Sequence, residues 1–228
     1  MKIKNLALIC AKKKSYGLKN KNLKKINNRS LFEITCDHIQ KSKLINHTLV
    51  STDSKKILRI GKKYKFDTPF LRPKKLSLKK TPEWKVWQHA IEYFKIHNGY
   101  IPQALIICSC TSPKRDPKII DEAIKKFYKT KSDVILSITE TNCNPEFNLV
   151  KIKNNNIAIL AKSKKKKYNR QDLDTIYKIT TNVYVLKPKF ILKKNHLFDT
   201  KKINYVFVSK KNAIDIDDYY DYEIAKKT

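Results

Sequence analysis

Residues 3–22 read IKNLALICAKKKSYGLKNKN, and this stretch decides the fold class. Ile3–Cys10 is an apolar run of strand length that passes straight into a lysine cluster, with no small-residue cleavage site of the kind a signal peptide carries. It reads as the buried first strand of a sheet. Ala11–Asn22 then forms a connection of the strand-to-helix kind, where backbone amides and a helix N-terminus can hold an anion. Only Ser15 and Gly17 are small enough for a usual phosphate cradle, though the lysines can supply charge instead. On composition alone a lysine-rich surface loop would look the same.

Working outward, apolar runs alternate with amphipathic stretches, which is the signature of βαβ units and a mostly parallel sheet. Ser30–Lys41 predicts a helix, with Ser30 and Glu33 at the spacing of a capping box. His47–Ser51 reads as a strand and Asp53–Tyr64 as its helix. Trp84–Phe94 follows as a helix whose aromatic stripe belongs to the core rather than to a base-stacking platform. Ala104–Cys108 has the continuous apolar character of a central strand. Pro117–Tyr128 is a helix with Pro117 in its first turn, and Ser132–Ile138 is the next strand. From Glu140 to Ile179 the pattern changes to shorter strands, an Asn-rich turn and the cluster Lys162–Lys167, which reads as an excursion from the sheet. The core resumes at Asn182–Leu186 and Tyr205–Val208, and Asp218–Lys227 closes the chain as a helix.

At 228 residues the chain suits one α/β domain over its full length, with an arm at about residues 140–179. A composition of 41% hydrophobic and 31% charged residues is globular, since enough apolar surface is present to offset chain entropy. The formal charge of +31 invites a nucleic-acid reading. Of 51 basic residues only five are arginine, which leaves 46 lysines scattered along the whole chain. Solvated surface lysines explain that better than a dedicated polynucleotide patch. The same field would still draw in a small polyanion. No stretch approaches the ~20 apolar residues of a membrane span. Five cysteines, at positions 10, 36, 108, 110 and 143, give neither a disulfide framework nor a zinc spacing, and reduced thiols in a cytoplasmic protein are the inference.

The acidic pair Asp215 and Asp217, in AIDIDD, stands out in a chain with few carboxylates. Residues two apart in an extended segment point the same way, so both could face one hard cation. On spacing alone a strand end beside a helix cap is the commoner reading.

Together these stretches resemble the CMP-sialic acid synthetases, the N-acylneuraminate cytidylyltransferases, along nearly the whole chain. The family's loop A-R-x-G-S-K-G-x-P-x-K-N is matched by Ala11 through Asn22. Its VSTD stands at Val50–Asp53 and its LRP at Leu71–Pro73. LLQPTSPLR becomes Ile107 through Arg115, RRQD becomes Asn169-Arg170-Gln171-Asp172, and SIDID with its later Asp becomes Ala213–Asp217 with Asp221. Each piece alone is weak, but six in order with matching gaps are specific.

The resemblance implies a three-layer, Rossmann-like nucleotide-sugar transferase fold that joins CMP from CTP to a sialic-acid-like 2-keto sugar acid and releases pyrophosphate. It implies Mg²⁺ held by Asp215 and Asp217, phosphates gripped by Lys12 and Lys21, and nucleotide contacts from Ser15, Asn22, Arg72 and Ser109. Arg170 matches an essential arginine of the arm, which in family dimers approaches the partner subunit, so a homodimer is implied as well. The chain also departs from the pattern. The loop arginine is Lys12, which lacks a bidentate fork. The paired glycines are Lys13 and Lys14, whose β-carbons disfavour positive φ and a close phosphate approach. The loop lysine before Gly17 is Tyr16, its proline is Lys19, and the glutamine of QPTSP is Ser109. The Ser-rich helix start is Pro82-Glu83-Trp84, and an Asn-Gly before the late strand is Thr180-Thr181.

Overall fold

A computed structural model describes residues 4–15, 17–153, 156–160 and 174–228. Arg170 therefore lies outside the described residues, as do Ile3 and Tyr16. The first strand, β1 (Asn5–Cys10), is buried along almost its whole length. Beyond the lysine loop the chain makes a 3-10 turn at Lys21–Leu23, then a hairpin of β2 (Lys25–Ile26) and β3 (Arg29–Ser30). The expected connection from loop to helix is thus interrupted. Asn27 and Asn28 explain this, since both take left-handed φ (47° and 63°), and a two-residue hairpin turn needs φ > 0 at both central positions.

The first helix, α1 (Leu31–Gln40), starts where its capping box sits. Ser30 Oγ accepts from Glu33 N at 3.3 Å and Glu33 Oε2 accepts from Ser30 N at 2.9 Å. Next comes β4 (His47–Ser51), then α2 (Lys55–Lys63), which begins two residues later than its periodicity suggests because extended Ser54 caps it. Helix α3 (Glu83–Asn98) outruns the expected Trp84–Phe94 at both ends and stops at Gly99, whose φ of 73° closes the last turn. Central strand β5 (Ala104–Ile107) leads to α4 (Lys118–Thr130), with Pro117 at the N-cap rather than inside the first turn. Strand β6 (Val134–Glu140) is followed by a separate hairpin, β7 (Val150–Lys153) and β8 (Asn156–Ile159). The later strand β9 (Tyr177–Leu186) is twice the expected length, because its first residues continue the pairing with β6 from Glu140↔Tyr177. A short helix α5 (Pro188–Lys193), which the periodicity did not show, then β10 (Ile203–Phe207) and α6 (Tyr219–Lys227) complete the chain.

The six-stranded sheet runs β10-β6-β9-β5-β1-β4. Five strands are parallel and β9 alone is antiparallel to its neighbours β5 and β6. Helices cover both faces. Phe32, Ile39, Ile57, Ile120 and Ile124 pack one face from α1, α2 and α4. Trp84, Trp87, Ile91 and Phe94 from α3, with Phe190 and Ile191 from α5, pack the other. The α3 stripe is core, as its periodicity indicates, and Trp84 Nε1 donates to Lys194 O at 2.6 Å. Among the described residues, no helix is long and apolar enough to cross a membrane.

Candidate functional site

In open α/β sheets ligands collect beyond the carboxyl ends of the strands. Here β1, β4 and β5 deliver Lys12, Ser51 and Ser109 to that edge. Ala11 N donates to Ser51 O at 3.0 Å, so β1 and β4 stay in register to the rim. The loop is then tied at two points. Lys13 N donates to Asp53 Oδ1 at 2.6 Å and Asn22 Nδ2 donates to Lys12 O at 2.9 Å. Neither Lys13 nor Lys14 takes a left-handed φ, so the loop closes without the conformation that glycines would have been needed for.

Lys12, Ser15, Lys21, Asn22, Arg72 and Ser109 all line one cleft of about 220 Å³. Leu76, Leu78 and Val86 form its apolar wall, and Glu83 and Thr111 add polar groups. Arg72 is buried and rigidly held. Its N donates to Thr52 O at 2.7 Å, its Nε to Ser51 Oγ at 3.0 Å and its Nη2 to Ser51 O.

Lys21 links this cleft to the acidic pair. Its Nζ donates to Ile216 O at 2.6 Å and to Asp217 Oδ1 at 3.2 Å, with the lysine side chain 14% exposed and the aspartate 80%. The pair sits in an extended connection before α6, and the helix cap falls to Asp218 instead. Between the two, Ile216 is fully buried and its N donates to Thr111 O at 2.9 Å, which turns the flanking carboxylates the other way. Asp215 Oδ1 is buried and has no hydrogen-bond partner among the described residues. Burial pushes the Asp215 carboxyl above the usual range. The neighbouring Asp217 charge adds to this, whereas the Thr111 and Thr181 hydroxyls and Lys21 oppose it. No group of three or more His, Cys, Asp or Glu that could hold a metal occurs among the described residues. Two carboxylates, one of them with an orphaned oxygen, fit a cation that completes its shell with water and phosphate oxygens.

Gly17 closes the loop over this pair. A β-carbon there would lie 2.2 Å from Asp217 O, so only glycine permits the approach.

Four residues of the site carried no role in the sequence. Thr181 Oγ1 bonds Thr111 Oγ1 at 3.2 Å and Ser112 Oγ at 2.8 Å, from a bulge in β9 where its register against β6 shifts beside Ser137. Thr111 Oγ1 in turn bonds Ser109 Oγ at 2.8 Å. Buried Arg115 pins the same rim, donating from Nε to Asn182 O at 2.5 Å, from Nη2 to Ser109 O at 2.6 Å and from Nη1 to His38 Nδ1 at 3.3 Å. Its being one of only five arginines in a chain with 46 lysines was the available signal for it, because a guanidinium can fork to several partners. Glu83 reaches solvent through the cleft yet is enclosed by protein, and that enclosure pushes its carboxyl up against the pull of Trp87 and Arg72. Cys108 and Cys110 are buried packing groups, with the Cys110 thiol pushed up to about 12 by burial.

Fold and cleft define an α/β protein with a lysine-lined cleft at the carboxyl edge of a mostly parallel sheet. The chain belongs to the cytidylyltransferase family, whose pattern residues 6–223 match. It is 28% identical over 226 residues to post-translational flagellin modification protein B of Campylobacter coli, covering 97% of this chain and 93% of that one. It is 29% identical over 222 residues to CMP-N,N'-diacetyllegionaminic acid synthase of Campylobacter jejuni, again covering 97% and 93%. Among solved structures it superimposes on CMP:2-keto-3-deoxy-manno-octonic acid synthetase complexed with CTP, with a TM-score of 0.71 at 10% identity over 98% of this chain and 97% of that one. That likeness concerns the fold.

Proposed function

We propose that this cytidylyltransferase joins CMP from CTP to a nonulosonic acid, a sialic-acid-like 2-keto sugar acid, with release of pyrophosphate. The observation that carries the reading is the convergence of Lys12, Ser15, Lys21, Asn22, Arg72 and Ser109 on one cleft whose inner lysine touches Asp217. Relatives named as sialic, legionaminic and pseudaminic acid cytidylyltransferases, matched over 97–99% of this chain, support the substrate class.

In this reading Lys12 and Lys21 neutralise the triphosphate, and Ser15 and the loop amides orient it. Asn22 holds the loop at Lys12 O, while Arg72 and Ser109 receive the nucleoside. Asp215 and Asp217 would hold Mg²⁺, which when bound shields phosphate charge and stabilises the leaving pyrophosphate. A neighbouring hollow of about 430 Å³, lined by Lys178, Thr180 and Lys210 beside the acidic pair, receives the sugar acid, and its lysines match the carboxylate. The anomeric hydroxyl then attacks the α-phosphorus in line, a reaction that depends mainly on positioning and electrostatics. Arg170 is assigned to the same reaction through the resemblance alone.

The test is pyrophosphate release from CTP with Mg²⁺ and a panel of nonulosonic acids. Turnover with at least one acid is expected, together with a fall of about a hundredfold or more in kcat/KM for Asp215→Asn and Asp217→Asn. Silence across the panel would sink the reading. A homodimer is part of the proposal, since Tyr177 and Ile179, at the end of the arm, and Phe207 stand exposed, with Tyr177 and Phe207 ring centroids 5.4 Å apart. Light scattering at micromolar concentration should give twice the chain mass, and a monomer would overturn it.

A further inference from the structure

The lining of the cleft carries two chemistries. Lys12, Ser15 and Lys21 suit phosphate, and Lys21 touches Asp217 of the acidic pair. Leu76, Leu78 and Val86 make an apolar wall of the kind a flat heterocycle covers, and Arg72 and Glu83 stand within electrostatic reach of each other in the same cleft. Arg72 can only donate hydrogen bonds, and its orientation is fixed by Ser51. Glu83, the first residue of α3, offers an acceptor when ionised. The Watson–Crick edge of cytosine has the complementary pattern, an amino donor at one side and two acceptors, the ring nitrogen and the carbonyl, beside it. Uracil places a carbonyl acceptor where cytosine has its amino group.

We infer that Glu83 reads the base, accepting from the cytosine amino group while Arg72 donates to the acceptor side, so that this chain selects CTP over UTP through a carboxylate. A carboxylate accepting from that amine is an established pairing in nucleic-acid readout. Against uracil the two acceptors would face each other, which builds discrimination by repulsion as well as by attraction. The assignment rests on the nucleotide end of the proposed function and is independent of the sugar acid.

Its test is direct titration of CTP and of UTP, each with Mg²⁺ and without any sugar acid, into the wild type, Glu83→Gln and Glu83→Ala, with thermal unfolding of each protein to establish folding. The wild type should prefer CTP. Glu83→Ala should lose about tenfold in CTP affinity and gain in UTP affinity, because the repulsion of the uracil carbonyl goes with the carboxylate. Glu83→Gln, whose amide can turn to donate, should narrow the ratio by raising UTP affinity. If the folded variants keep the wild-type ratio of CTP to UTP, or if the wild type binds both equally, Glu83 does not read the base. If the wild type binds no nucleotide at all, the proposed function fails first. If CTP binding behaves as expected but no sugar acid turns over, the base reading stands and only the acceptor substrate is wrong.

Discussion

A single imidazole reports how the rim of the cleft is held. His38 lies on α1 where Arg115 Nη1 donates to its Nδ1, and a guanidinium can only donate, so the ring must be neutral with its proton on Nε2. Burial, and then the Arg115 charge, push its pKa down to about 3. The sign follows from linkage. With the folded value depressed, the unfolded chain takes up the proton first as pH drops below about 6.5, so the stability His38 contributes is present above that value and is lost toward pH 3. The limiting slope is about 1.4 kcal/mol per pH unit, and partial solvent access reduces it. Between pH 6.5 and 4.5, His38→Gln should therefore lose about 2 kcal/mol less than the wild type in urea unfolding. A variant whose midpoint tracks the wild type through that range would show that the Arg115–His38 contact carries no such charge penalty.

Elements meet at the site through close backbone approach, and the loop after β1 is the tightest case. Gly17 lies under the Asp217 carbonyl with no room for a β-carbon, although its φ is not left-handed. Gly17→Ala should displace the loop and Lys21 from the acidic pair. The expected result is about a hundredfold lower kcat/KM, since ångström-scale misplacement costs that much, with an unfolding midpoint little changed because the loop is peripheral to the core. Wild-type kinetics in this variant would mean that the loop does not set the geometry. The same pair of elements shows what was legible beforehand. Asp215 and Asp217 stood out by their spacing and Lys21 through the family resemblance, whereas the contact between Lys21 and Asp217, 196 positions apart, could not be read, because it depends on a chain reversal no local pattern encodes. Caps were readable, as Ser30 and Glu33 show, since a capping box is a local signal. The β2–β3 hairpin escaped because strands of two residues have no periodicity, and only the pair Asn27-Asn28 marked its turn. Direction escaped too: the buried run of β9 looks like a parallel strand, and its antiparallel course and bulge follow from the sheet's connectivity. Thr111, Thr181 and Arg115 were missed for that reason, since they act through neighbours that the topology brings together.

At the scale of the whole molecule the dominant fact is the charge of +31, carried mostly by lysines spread over the surface. Such a field has no single focus except where low-dielectric walls gather it, and the cleft, lined by Lys12 and Lys21, is such a place. A nucleoside triphosphate approaching from solution feels the summed lysines at long range and the cleft lysines only at contact. These two contributions separate with salt. Raising ionic strength from about 0.1 M to about 1 M shortens the screening length from about 10 Å to about 3 Å, which removes the long-range part and leaves contacts inside the cleft largely intact. Steady-state kinetics at fixed excess Mg²⁺ should then show KM for CTP rising several-fold while kcat changes little, because the scattered lysines attract the substrate but take no part in the transition state. A fall in kcat at constant KM would locate the salt-sensitive charges in the reacting complex itself. The surface lysines would then belong to the chemistry, and the division drawn between a diffuse attracting field and a compact catalytic set would fail.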